Sequence, residues 1–108
     1  MESERAGAEM LKRVIGLIDE RGTQYGDPTD NLKDIAAVWD IYLKARPGGK
    51  TQVVSAVDQV WMMVATKLIR AAKSPMNFDH YDDVAGYAAC GIECVLRAID
   101  RRETYTQE

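Results

Sequence analysis

The stretch VVSAVDQVWMMVATKLIR, residues 53–70, decides the fold class of this protein. Its apolar residues recur at the spacing of one face of an α-helix and do not alternate as strand residues do. The pattern predicts a helix over residues 51–73, the third of the chain, which ends before Pro75. The residues of its predicted core face are Val54, Val57, Trp61, Val64 and Leu68.

The same helical period runs through most of the chain on both sides of this stretch. It predicts three more helices, over residues 6–21, 30–45 and 79–101. The predicted core faces of the first and last of these comprise Leu11, Val14, Ile15 and Ile18, and Tyr81, Ala85, Ala88, Ile92, Val95 and Ile99. Because no segment alternates as a strand does, the predicted fold class is all-α. Short connections between four helices favour an antiparallel four-helix bundle.

The third and fourth helices each carry a second apolar or small-residue face. The members of these second faces are Met62, Ala65 and Ile69 on the third helix, and Gly86, Cys90 and Cys94 on the fourth. A single bundle of this size would leave such faces in water. We therefore expect the protein to self-associate as a homodimer or homotetramer.

Composition limits the classes of protein to which the chain can belong. Its 108 residues fit one domain, with polar, frayed ends expected at residues 1–5 and 102–108. The net charge of −3 argues against nucleic-acid binding, because phosphate backbones attract basic surfaces. No apolar run is long enough to span a membrane, and no signal-peptide pattern opens the chain. Cys90 and Cys94 suit side-by-side packing better than a disulfide, so we expect a cytoplasmic protein.

The connection ERGTQYGDPTDN, residues 20–31, carries more polar chemistry than a link between two helices needs. In an up-and-down bundle it meets the end of the third helix and the start of the fourth. The unusual polar residues expected at this end are Arg21, Tyr25, Asp27, Asn31, Lys67, Arg70, Asp79, Asp82 and Asp83. The sequence therefore predicts a functional site at this end of the bundle.

Three aspartates open the fourth helix. An aspartate at a helix N-terminus is ordinary structural chemistry, and Asp79 has the position of an N-cap. Three aspartates within five residues exceed that need. Asp79 and Asp83 project from one helical face and can share a divalent cation through hard oxygen ligands. His80 beside them is expected to be solvated.

Two cations stand in the last turns of the third helix. Lys67 and Arg70 can complement the helix dipole and form an ion pair with the fourth helix, or they can bind phosphate. A second polar pair, Asp58 and Glu93, is expected level with each other and far from this end. We interpret it as a structural pair or an oligomer contact, with metal ligation as the less favoured alternative.

Residues 21–93 carry the pattern RGTQYGD…N…IAAVW..YL…D…MM…K..R…D…D..GYAACGIE. Its elements RGxxYG, MMxxxKxxR and DxxxDxxGY, in that order, resemble a family of small, largely phage-encoded helical proteins related to MazG-type nucleoside triphosphate pyrophosphohydrolases. The resemblance implies an all-α, dimeric or tetrameric protein that requires Mg²⁺ or Mn²⁺. It also implies cleavage of a (deoxy)nucleoside triphosphate, with dGTP as first expectation, to monophosphate and pyrophosphate. A phage-encoded protein of this kind would act in the host cytoplasm.

The resemblance gives expected roles to the residues of the predicted site. Asp79 and Asp83 are the expected metal ligands, and Lys67 is expected to act with them in catalysis. The residues expected to bind the triphosphate, base or sugar are Arg21, Tyr25, Asn31, Lys67 and Arg70.

The sequence departs from the wider MazG pattern, which has ExxE on one helix and ExxD on the next. Lys67 and Arg70 stand where one acidic pair is expected. Either other carboxylates complete the metal site, from Asp34, Asp58, Glu93 or a partner chain, or the nucleotide is bound with fewer metals. A module that binds nucleotide without cleaving it, or a structural helical oligomer, is the alternative to an enzyme.

Overall fold

A computed structural model describes residues 2–101, apart from the side chains of residues 2–4 and of Tyr25. Its elements are α1 (Glu2–Tyr25), α2 (Pro28–Ala45), a short 3₁₀ turn (Gly49–Thr51), α3 (Ala56–Lys73) and α4 (Phe78–Asp100). No strand occurs among the described residues, so the predicted all-α class is confirmed. The backbone of residues 2–5 belongs to α1, and residues 1 and 102–108 lie outside the described part, so the expected fraying stays a prediction.

The first connection ends α1 and starts α2 within three residues. Gly26 has a φ of 80°, and its N–H donates to the carbonyl of Gly22 at 3.0 Å, a left-handed residue that closes a helix. Asp27 then caps α2, because its Oδ1 accepts from the N–H of Thr29 at 2.8 Å, and Pro28 occupies the first helical position. Consequently α1 continues one turn beyond its predicted end.

The junction between α2 and α3 is organised by a buried ion pair. Arg46 Nη1 donates to Asp58 Oδ2 at 2.7 Å, and the two side chains are only 6% and 13% exposed. Asp58 also accepts from the Tyr42 hydroxyl at 2.7 Å and forms a capping box with Ser55. This capping box starts α3 at Ala56, later than the period alone predicts.

Contacts along α3 pair it with a helix on each side. The indole N–H of Trp39, on α2, donates to the Met62 carbonyl at 2.7 Å. On the other side, Lys67 pairs with Asp83, and a Cβ on Gly91 would lie 3.1 Å from Val60, so α4 approaches closely and runs opposite to α3. In contrast, α1 touches α2 and α3 only sparsely and makes no close backbone approach to α4. The complete four-helix bundle therefore stays a prediction.

The structure does not bury the predicted core faces of α3 and α4, and the inner side of α4 follows neither of its two predicted stripes. Met62 on α3 is buried, whereas Trp61 is 55% exposed. On α4, Ala98 is buried and Ile92 is 64% exposed. The small residue Gly91 explains the choice, because it lets the two helix backbones approach and turns the bulkier stripe of α4 outward. Helical period alone cannot rank two apolar stripes on one helix.

Little of the apolar surface of the described chain is enclosed. The buried apolar residues are Ile35, Met62 and Ala98, and no large side chain there is fully buried. The radius of gyration is 17.7 Å, against about 13 Å for a compact chain of this length. A single copy is thus less compact than a typical globular domain of this length.

Replacing Asp58 with alanine should destabilise the fold strongly. The change leaves the nearly buried Arg46 guanidinium without its carboxylate, which typically costs about 3 kcal/mol or more. Asp40→Ala is the matched control, because Asp40 pairs with Lys44 and Lys50 at the surface, where ion pairs contribute little. Urea unfolding of the three proteins measures the difference. Equal, small losses would contradict the organising role of Asp58.

The stabilisation by Asp58 should depend on pH in a defined direction. Burial raises the pKa of Asp58, but hydrogen bonds from Ser55, Tyr42 and Arg46 outweigh it and lower the pKa below 3.8. The contribution is therefore complete above that pH and is lost as the pH falls through the folded-state pKa. We expect the stability difference between wild type and Asp58→Asn to be constant from about pH 7 to 5 and to shrink below about pH 4. A constant difference down to pH 3 would contradict this assignment.

Candidate functional site

A cavity of about 740 Å³ opens between the end of α1, the start of α2 and the end of α3. Arg21, Asn31 and Arg70 all line it. These residues come from three helices, and the sequence analysis predicted that they meet at one end of the molecule. The structure does bring these three together.

The lining of this cavity is mostly apolar and includes three charged residues. The guanidinium groups of Arg21 and Arg70 are its cations, and Asp19 is its carboxylate. Arg70 and Asn31 are half-buried, whereas Arg21 is exposed at the rim. The hydroxyl of Thr23 donates to the Asp19 carbonyl at 3.1 Å, which places that side chain at the cavity wall. Sequence reasoning missed Asp19 and Thr23, because both look like ordinary polar residues of a surface helix.

Lys67 and Asp83 form an ion pair between α3 and α4. Lys67 Nζ lies 2.9 Å from Asp83 Oδ2, with side chains 15% and 44% exposed. The hydrogen bond from Lys67 is the main cause that lowers the pKa of Asp83, and the charges of Lys67, His80 and Arg70 lower it further. Arg70 thus links this pair electrostatically to the cavity that it lines.

Asp79 is not the N-cap of α4. The helix begins at Phe78, and the side chain of Asn77 accepts the N–H of Asp79 at 3.0 Å. Asn77 takes the capping role because the helix starts one residue earlier than predicted. Asp79 and Asp83 are both left in the first turns, one helical turn apart on the same face, with Asp79 exposed.

The expectation that His80 is solvated is wrong. The side chain is 4% exposed, although it stands in the first turn of α4. The cause is that position 80 shares a helical face with Gly91, which lies against α3, and with the buried Ala98. His80 and Lys67 line a second, apolar groove of about 670 Å³ between α2, α3 and α4. Lys67 is therefore placed at this groove and not in the cavity of Arg21 and Arg70.

The other candidate carboxylates do not join Asp79 and Asp83. Asp58 is structural, as interpreted, but its partners are Arg46, Tyr42 and Ser55 rather than Glu93. Within residues 2–101, no three His, Cys, Asp or Glu side chains gather as a group that could hold a metal ion. Completion of a multi-carboxylate cage by Asp34, Asp58 and Glu93 of the same chain is thus not observed.

The remaining predicted residues have simpler outcomes. The side chain of Tyr25 lies outside the described part of the chain, so its expected role stays a prediction. Cys90 is exposed and Cys94 half-buried, and both thiols are free. No helix among the described residues is long and apolar enough to cross a membrane.

Comparison with known proteins places the chain in a family. A model of the family described as Domain of unknown function (DUF6378) matches residues 9–95, so the chain belongs to this family. It is 34% identical over 71 residues to the Gene 55 protein of Mycobacterium phage D29, across 66% of this chain and 42% of that protein. The chain thus spans less than half the length of this relative, and a phage-type family is confirmed. No solved structure matches.

Replacing Lys67 with methionine should raise the pKa of Asp83 toward its ordinary value of 3.8, because the hydrogen bond from Lys67 is the main cause of its lowering. Lys73→Met is the matched control: its ammonium lies 3.9 Å from Asp34 and leaves the Lys67–Asp83 contact in place. An NMR titration of the Asp83 carboxyl carbon measures both variants. An unchanged Asp83 pKa in Lys67→Met would mean that the ion pair does not persist in solution.

Proposed function

We propose that this DUF6378 protein binds a nucleoside triphosphate and, with Mg²⁺ or Mn²⁺, hydrolyses it to the monophosphate and pyrophosphate. The observation that carries the proposal is the convergence of Arg21 and Arg70 on one cavity, electrostatically linked to the Lys67–Asp83 pair. The cavity volume of about 740 Å³ falls within the usual range of small-molecule sites. The relationship to MazG-type enzymes and the choice of dGTP belong to the proposal and rest on the motif resemblance.

The cavity suits the polyphosphate part of such a ligand. Arginine forms forked, charge-assisted hydrogen bonds with phosphate oxygens, and Arg21 and Arg70 approach from different helices. Asn31 offers both donor and acceptor groups for a base or sugar at the same wall. Tyr25 completes this part of the proposal as a further base or sugar contact.

The carboxylates at the start of α4 fit a single magnesium ion. Mg²⁺ is commonly held by one or two carboxylates together with water and substrate phosphates, so Asp79 and Asp83 are a sufficient protein contribution. Asp83 is 44% exposed and keeps acceptor capacity beside its bond to Lys67. When bound, the ion would polarise a phosphoryl oxygen and increase the acidity of a water ligand.

In the hydrolysis, side chains of this protein would neutralise charge on the phosphates and hold the metal-binding carboxylate in position. A water oxygen would form a bond to the α-phosphorus while the bond from that phosphorus to the bridging oxygen breaks; pyrophosphate would leave, and the proton of the attacking water would pass to solvent. Arg21 and Arg70 would neutralise the charge that accumulates on the departing oxygens. Lys67 would hold the Asp83 carboxylate in position through its 2.9 Å ion pair.

The proposal includes self-association and a place of action. A homodimer or homotetramer would cover apolar surface that the single chain leaves exposed, and a partner chain could add carboxylates to the site. Action in the host cytoplasm follows if the chain is phage-encoded, as its relative is.

One observation favours a second candidate function. No three potential metal ligands gather within residues 2–101, so the site is poorer in carboxylates than the MazG pattern. A module that binds and sequesters a nucleotide without cleaving it needs only the arginine cavity. The two candidates differ in pyrophosphate release.

We expect pyrophosphate release from at least one nucleoside triphosphate when each is incubated with the protein and Mg²⁺ or Mn²⁺. Asp83→Asn should abolish this release and keep the helical content, because the change preserves shape and removes the charge that a hard cation needs. Asp82→Asn is the matched control, because its carboxylate is exposed next to Asp83 on another face of α4. Tight binding without any pyrophosphate would establish the sequestering module instead.

Arg70→Met should weaken triphosphate binding more than nucleoside binding. A lost charge-assisted hydrogen bond costs about 1.5–3 kcal/mol, or roughly ten- to over a hundredfold in affinity. Arg97→Met is the control, because Arg97 is exposed near the far end of α4. Calorimetric titration with a nucleoside and its triphosphate measures the difference. Equal losses of affinity for both ligands would mean that the phosphates do not bind in this cavity.

A further inference from the structure

The apolar groove between α2, α3 and α4 is a surface on which a further helix could pack. Its principal lining residues are Val38 and Ile41 on α2, Trp61 and Leu68 on α3, and Tyr81 and Val84 on α4. We propose that α1 of a second copy of this chain fills this groove, so that each copy of a dimer lends its first helix to the other. The inference rests on the self-association proposed above and is independent of catalysis.

The exposed area of one copy matches what such a dimer would bury. The chain exposes 8375 Å², whereas a compact monomer of this mass exposes about 6,000 Å². The excess is roughly 2,300 Å² per copy, or about 4,600 Å² for two copies. Obligate dimer interfaces bury about 2,000–5,000 Å² counted over both partners, so the excess is of that size. A second copy of the same chain is therefore a partner of sufficient area.

The shape of the groove selects a helix as its occupant. α3 lies between α2 and α4, and all three helices line the groove. Trp61 and Leu68 on the central helix are 55% and 61% exposed, and one apolar helix laid along α3 would cover both. The groove needs a convex apolar rod. The α1 helix of the same chain contributes no lining residue and makes no close backbone approach to α4.

Helix α1 has the matching apolar stripe. Leu11 and Ile15 recur at helical spacing, and each is 60% exposed; Ile18, one turn further on, already lines the arginine cavity of its own chain. The helix has 24 residues and is about 36 Å long, and a helix with a solvated apolar stripe is at best marginally stable in water. α1 therefore needs a partner surface that its own chain does not supply.

The outer stripe of α4 extends the groove to the length that α1 requires. Tyr81 forms one wall, and the stripe continues through exposed residues at the same helical spacing. These residues are Ala85, Ala88, Ile92, Leu96 and Ile99. Each copy thus offers both an apolar helix and a groove. In a two-fold symmetric dimer, α1 of each copy packs in the groove of the other, and no apolar helix or groove is left open for a third copy.

Charge insertion on either side of the interface tests the proposal. We expect Ile15→Asp in α1 and Leu68→Asp in the groove each to raise the dimer dissociation constant at least about tenfold, because each places a carboxylate in buried apolar surface. Val53→Asp is the matched control, because Val53 is 81% exposed and lies in the α2–α3 connection. Light scattering across a dilution series follows the mass from twice 12.1 kDa to one copy.

The pattern of the two variants identifies the occupant. If only Leu68→Asp dissociates the dimer, something other than α1 covers the groove, and if only Ile15→Asp does, α1 packs elsewhere. Either result, or a dimer unchanged by both, overturns the proposal. A wild-type protein that is monomeric at all concentrations overturns the proposed self-association as well. None of these results depends on nucleotide hydrolysis.

A second measurement does not require a destabilised variant. A nitroxide on Lys12→Cys, in a Cys90→Ala and Cys94→Ala background, marks the α1 stripe. Labelled copies are mixed with unlabelled, ¹⁵N-enriched copies, and the indole N–H signal of Trp61 is followed, assigned by its loss in Trp61→Phe. We expect the nitroxide to broaden this signal strongly. Reduction of the nitroxide should remove the broadening and restore the signal. A dimer that shows no such broadening would exclude α1 from the groove.

Discussion

The buried ion pair between Arg46 and Asp58 is the interaction on which the arrangement of the helices depends. It ties the end of α2 to the first turn of α3, and Asp58 also accepts from the backbone N–H of Ser55, the N-cap of α3, in the capping box. The guanidinium also donates to the carbonyls of Gly49 and Gln52, so the connection between the two helices is held by the same side chain. Both the arginine cavity and the apolar groove lie along the α2–α3 pair that this junction sets in place.

The close approach between α3 and α4 decides which apolar residues of these helices are buried and which stay exposed. Gly91 allows the α4 backbone to come near Val60, and the side of α4 that carries Gly91 and the buried Ala98 therefore faces inward. The bulky stripes of both helices are left outside, where Trp61 and Ile92 are more than half exposed. The strongest apolar patterns of the sequence are thus available for contacts between copies rather than within one copy.

The candidate site is divided between two neighbouring surfaces. Arg21 and Arg70 belong to the cavity, and Lys67 belongs to the apolar groove, while Arg70 and Lys67 both lower the pKa of Asp83. This carboxylate is consequently the point at which the two surfaces influence each other. A ligand in the cavity and a helix in the groove would both alter the surroundings of the same ionised group.

The sequence alone determined the number and type of the helices, because apolar period and turn residues act locally. It also predicted that Arg21, Asn31 and Arg70 meet, since short connections restrict where helix ends can lie. What only the tertiary structure decided is which side of each helix faces inward. That choice depends on the close contact between Gly91 and Val60, residues far apart in the chain.

The same limit explains the individual errors at the site. His80 is buried because the face of α4 that meets α3 was not the predicted one. Asp58 has the structural role that was expected, but its ion-pair partner is Arg46, because the guanidinium reaches it from the preceding connection. Local pattern identifies residues that are chemically capable of a role. Long-range packing decides which of them are brought together, since burial and contact are properties of the folded chain.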